Sequence, residues 1–106
     1  MPNDNRPLSD QYYEAATEWV DLEAAASLLE STKSAVLSQK VLAMGDIPIN
    51  RAEAQIKATP DWMEHLEKIA EARKVANHAW VKVEYIKMQA MEQHSHQATE
   101  RVAARI

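Results

Sequence analysis

The residues with chemistry to offer are four histidines, sixteen carboxylates, three tryptophans and three tyrosines, with no cysteine. Metal binding is the first possibility to test. His94 and His96 are two residues apart, and on a helix that spacing turns the two rings roughly 200° from each other, so they cannot share one ion. Helical di-metal sites place a Glu three residues ahead of a His on facing helices, but Trp62, Val75, Met91 and Gln93 hold those places before His65, His78, His94 and His96. Asp61 and His65, four apart, read as first-turn helix electrostatics. A carboxylate does acid–base work when burial shifts its pKa, and no acid here interrupts an apolar stripe. The single glycine leaves no phosphate-cradling loop, and the lack of cysteine removes thiolate zinc sites and thiol catalysis. No catalytic, metal or cofactor-binding residue is assigned, and the chain reads as a non-enzyme.

What remains is recognition chemistry. Tyr12, Tyr13, Trp19, Trp62 and Trp80 are the candidate interface residues. Three tryptophans are hard to bury in a thin fold, and each can cover on the order of 200 Å² in an interface between copies. They divide between core packing within one chain and contact between subunits. From residue 7 to residue 32 there are six acids and no Lys or Arg; among them Asp10, Glu14, Glu18 and Asp21 form a candidate acidic partner surface. Arg51, Lys57, Arg73 and Lys74 fall toward a connector and form a candidate basic patch, interleaved with Asp46, Glu53, Glu67 and Glu71. A net charge of −4 and pI near 5.5 weigh against general nucleic-acid binding, which draws on clustered Lys and Arg.

The elements that position these residues follow from punctuation. Asp10 to Met44 and Asp61 to Ile106 contain neither glycine nor proline, while Gly45, Pro48 and Pro60 mark the connector. Helices alone run this far without a turn signal. Eighteen alanines and no phenylalanine suit close helix packing and argue against a sheet. The sequence predicts an all-α fold: a long antiparallel helical hairpin with a short helix in the connector, assembling into a helical bundle. It is one hairpin domain over 9–106, with helices over 10–44, 51–58 and 60–103, after a disordered arm over 1–8.

Ser9 is the expected N-cap of the first helix, Asn50 with Glu53 an expected capping box, and Thr59-Pro60 the start of the last helix. Gly45 is placed for a left-handed C-cap. On the first helix Tyr12, Ala15 or Ala16, Trp19, Leu22, Ala25 or Ala26 and Leu29 share a face. On the last, Trp62, Leu66, Ile69, Ala72 or Arg73, Ala76, Ala79 or Trp80, Val83 and Ile86 do. Glu30 to Ser34 is a polar run that reads as a solvated stretch, a polar layer or a kink. Folding back brings the acidic half of the first helix beside Lys82, Lys87, Arg101 and Arg105. After Met91 the apolar stripe fades and the helix end is expected to fray.

The segments Val20-Asp21-Leu22-Glu23-Ala24-Ala25-Ala26, Glu30-Ser31-Thr32-Lys33-Ser34-Ala35-Val36-Leu37, Asn50-Arg51-Ala52-Glu53 and Glu71-Ala72-Arg73-Lys74-Val75-Ala76-Asn77 resemble small helical proteins of tailed bacteriophages and prophages. WXG-type hairpins share the length but have Trp-x-Gly at the turn, where this chain has Ala43-Met44-Gly45. The phage resemblance implies an accessory role in replication or recombination, in the cytoplasm of a bacterial host, and transfers no site residues. The expected function is protein–protein interaction, including inhibition of a host nuclease or defence complex. The alternative is a nucleic-acid-binding accessory using the basic patch of an oligomer. Expected partners are further copies of the chain and another protein, with no cofactor and no membrane.

Overall fold

The structure, a computed structural model, describes residues 4–105, and three helices account for nearly all of them: α1 (Leu8–Ala43), α2 (Ile49–Lys57) and α3 (Pro60–Arg105). At 1.5 Å per residue the two long helices run about 54 and 69 Å, and the molecule measures 83 × 24 × 18 Å. α1 and α3 lie antiparallel along their length: Trp19 meets Trp80, and Glu23 and Glu30 meet Arg73. Among the described residues no helix is long and apolar enough to cross a membrane.

The prolines do more at the helix starts than the sequence reading assigned them. Pro7, at φ −53° and ψ 144°, is the N-cap of α1, and its carbonyl accepts the Asp10 and Gln11 N–H groups at 3.1 Å. Pro48 does the same for α2, accepting from Arg51 and Ala52 at 3.0 Å. Ser9 and Asn50 therefore lie inside their helices, and neither expected side-chain cap forms. A proline's fixed φ already matches the extended N-cap conformation, and Leu8 packs against Ala15, Val83 and Ile86, which draws the start of α1 ahead of residue 10. The arm expected over 1–8 is correspondingly shorter. Residues 1–3 lie outside the described residues, and Arg6 is tied to Asp4 at 2.7 Å and to Glu14.

The start of α3 is as expected: Thr59 Oγ1 accepts from the Trp62 N–H at 3.3 Å, with Pro60 at the first helical position. α1 ends one residue earlier than expected, at Ala43; Gly45 follows at φ +78°, donating to the Leu42 carbonyl at 3.3 Å. A left-handed residue after the last turn is the glycine position of a helix C-cap. α3 stays helical to Arg105, two residues past the expected end, although every described residue from Ala90 onward is exposed.

The seam follows the three–four ladder. Ala15 of α1 is buried in a cluster with Val83 and Ile86 of α3; Ala26, Trp62 and Ala76 are buried as well, and α2 buries Ala52 and Ile56. Four of these eight side chains are alanines, which allow close approach of the helices but remove little apolar area from water. Glu30 to Ser34 causes no break. The Ser31 and Thr32 hydroxyls donate to the Leu28 and Leu29 carbonyls at 2.8 and 2.7 Å, and Glu30 accepts an ion pair from α3.

Candidate interaction surfaces

The acidic surface is the expectation that geometry gathers most completely. Asp10, Glu14, Glu18 and Asp21 are spaced four, four and three along α1, which places them on one helical face. They line one open depression of about 660 Å³ with Arg6, Tyr13 and Thr17. Tyr13 is 74 % exposed there, and the Thr17 hydroxyl donates to the Tyr13 carbonyl at 2.7 Å. The face borders α3 at Glu18, which also lines a second depression with Lys74 and Lys82 of α3. The one basic residue lining the acidic depression is Arg6, whose guanidinium bonds Glu14 and Asp4. Hydrogen bonding to Arg6 pushes the Asp4 carboxyl down to about 2, and the two carboxylates raise the Arg6 guanidinium above its ordinary value. Arg6 thus places a planar cation on one carboxylate of the face, Glu14.

The aromatic set separates. Trp62 is buried near the connector with its ring 5.6 Å from that of His65, so it is core and is removed from the interface candidates. Trp19 and Trp80 meet across the seam with ring centroids 4.6 Å apart at 49°, a tilted pairing that the ring quadrupoles favour. Each is thereby partly satisfied within one chain, although Trp80 stays 43 % exposed. Tyr12 and Tyr13 are both exposed, and only Tyr13 belongs to the acidic depression.

The basic patch is not assembled. Arg73 turns into the seam, where Nη1 donates to Glu23 at 2.5 Å and Nε donates to Glu30 at 3.1 Å, with Nη2 completing a fork on Glu30. Those bonds raise the Arg73 guanidinium and hold the Glu30 carboxyl below the usual range. Lys74 lies about 21 Å along α3 from Pro60, beside Glu18, Glu71 and Lys82, whereas Arg51 and Lys57 sit on α2. The four do not converge, and Arg73 is withdrawn from any phosphate-facing role. Sequence spacing missed the Arg73 fork because its partners lie 43 and 50 residues away; the only local sign was the choice between Ala72 and Arg73 on the ladder. Lys82, Lys87, Arg101 and Arg105 make no ion pair with α1 among the described residues.

Among the described residues no group of three or more His, Asp or Glu side chains is placed to hold a metal ion. No family model, curated protein or solved structure matches the chain, so its surfaces alone carry the functional reading.

Proposed function

We propose that the chain is a non-enzymatic interaction protein whose α1 face of Asp10, Glu14, Glu18 and Asp21 engages a basic surface on a protein partner. The observation that carries this reading is the gathering of four carboxylates and an exposed tyrosine on one helical face, lining a single depression whose one cation is Arg6. A row of carboxylates at helical spacing presents negative charge along a groove or ridge, as a nucleic-acid backbone does, and draws in Lys- and Arg-rich surfaces by long-range attraction. A DNA-processing or nuclease component is the partner class with such a surface. The accessory role in replication, recombination or host defence implied by the phage resemblance is consistent with that chemistry. The hairpin is also proposed to work as an assembly of copies forming a larger helical bundle.

The test is capture from bacterial lysate by the wild-type chain and by a variant with Asp10→Asn, Glu14→Gln, Glu18→Gln and Asp21→Asn. The wild type should retain a basic protein that the variant loses and that duplex DNA displaces. Capture that survives neutralisation, or that resists DNA competition, refutes the reading. The nucleic-acid-binding alternative has the scattered Arg51, Lys57 and Lys74 in its favour and nothing that gathers them.

A further inference from the structure

The residues ahead of α1 are held against the acidic face from several directions. The Pro7 carbonyl accepts the Asp10 and Gln11 N–H groups at 3.1 Å. The Gln11 side chain reaches back, its Nε2 donating to the Arg6 carbonyl at 2.8 Å and to the Asp4 carbonyl at 3.4 Å. Asp4 holds the segment from the other end: its carboxylate accepts the Arg6 backbone N–H at 3.0 Å, Nε at 3.0 Å and Nη2 at 2.7 Å. Pro7, with φ fixed by its ring, stiffens the joint between this segment and the helix.

These anchors aim one side chain. Arg6 Nη1 donates to Glu14 Oε2, eight residues on, a separation beyond the three or four that pairs within one helix have. The guanidinium therefore comes to Glu14 from outside α1. Glu14 stands between Asp10 and Glu18 in the row of carboxylates, and Arg6 lines the depression those acids share. The guanidinium sits where a cation of a basic partner would have to go. Asp4 gives it a second carboxylate, so Arg6 can leave Glu14 and stay paired.

We propose that Asp4 to Pro7 is an autoinhibitory strap on the α1 face: Arg6 occupies Glu14 in place of a lysine or arginine of the basic partner, which engages the full row only after displacing it. Such a strap presupposes that the face is a partner surface, as proposed above. It lowers affinity by what one exposed ion pair is worth, a factor of about two to five. It also sharpens selectivity. A lone lysine competes with Arg6 for Glu14 on even terms, whereas a surface that reaches Asp10, Glu18 and Asp21 at the same time displaces it.

The probe is a peptide of about nine arginines, its binding to the full chain followed by fluorescence anisotropy at roughly 20 mM salt, where surface charges are weakly screened. Arg6→Gln should bind it about two- to fivefold more tightly than the wild type. Lys33→Gln, which removes the same charge from an exposed position farther along α1, should change binding by less. In a Glu14→Gln background the gain from Arg6→Gln should shrink to that of Lys33→Gln. Gln11→Ala, which alters no charge but frees the carbonyls of the strap, should also tighten binding. Equal effects of Arg6→Gln and Lys33→Gln, a gain that persists without Glu14, or no change in Gln11→Ala overturns the strap. The chain with Asp10→Asn, Glu14→Gln, Glu18→Gln and Asp21→Asn separates the two proposals. If it binds the peptide as well as the wild type does, the acidic-face reading falls and the strap with it; a loss of binding there, with no gain in Arg6→Gln, removes the strap alone.

Discussion

Val83→Ala is the sharpest probe of the hairpin. Val83 is 1 % exposed and sits in a cluster with Ala15 and Ile86, flanked by Leu8, Ala16 and Trp19. Removing its two methyl groups forfeits about 0.8 kcal/mol each in transfer free energy. The void between two helices held apart by their own backbones collapses only in part, which adds a cavity cost. Alanine's better helix propensity returns about half a kcal/mol, leaving a net loss of about 2 kcal/mol. For a domain of about a hundred residues that lowers the melting temperature by roughly 10 °C. The control is Val20→Ala, the same deletion on α1 at a side chain that is 55 % exposed. There the propensity gain offsets the small loss of burial, and the change should stay within about 0.5 kcal/mol. Thermal unfolding followed by far-ultraviolet circular dichroism, at a concentration low enough to keep the chain monomeric, compares the two. Equal melting temperatures for the two variants would refute the assignment of the α1–α3 seam.

Two further outcomes test the connector and the Arg73 fork. A Cβ added at Gly45 meets nothing within 4 Å, so Gly45→Ala should cost only the left-handed backbone penalty, about 1 kcal/mol, with Gly45→Asn milder; equal stability of all three chains in urea unfolding would show that the positive φ is not required. Because Arg73 lowers the Glu30 carboxyl, the stabilisation from that pair is complete above the pH at which an unpaired glutamate protonates and fades as pH falls through the lowered value. Urea unfolding at descending pH should therefore show a loss of stability that Arg73→Gln reduces, with the part owed to Asp4 and Arg6 remaining, and an unchanged acid dependence in that variant would contradict the fork.

The parts of this structure that were legible in sequence are those set by local rules. The arms free of glycine and proline give α1 and α3, the three–four ladder gives the seam, and Thr59-Pro60 gives the start of α3. The acidic face was readable for the same reason: Asp10, Glu14, Glu18 and Asp21 fall together on any α-helix, whatever that helix packs against. Where two local rules competed, the sequence did not decide. Ser9 and Asn50 are good caps by side chain, yet Pro7 and Pro48 hold the N-cap positions because the backbone there is already extended and Leu8 gains burial by joining α1. What depends on long-range register was hidden. Trp62 and Trp80 have the same ladder credentials, but the register buries one at the connector and leaves the other at the edge, stacked on Trp19. Arg73 looked like part of a basic patch until the hairpin brought Glu23 and Glu30 to it.

The division of labour between the two long helices has a physical origin in the alanine-rich seam. Ala15, Ala26 and Ala76 let the backbones come close, so each long helix presents only a narrow strip inward and most of its circumference outward. On α1 the outward side near Leu8 is filled with carboxylates, a face that repels copies of itself and attracts cations over a distance. On α3 the outward side beyond Trp80 holds Val81, Tyr85, Met88 and Met91, an apolar face with each side chain more than half exposed.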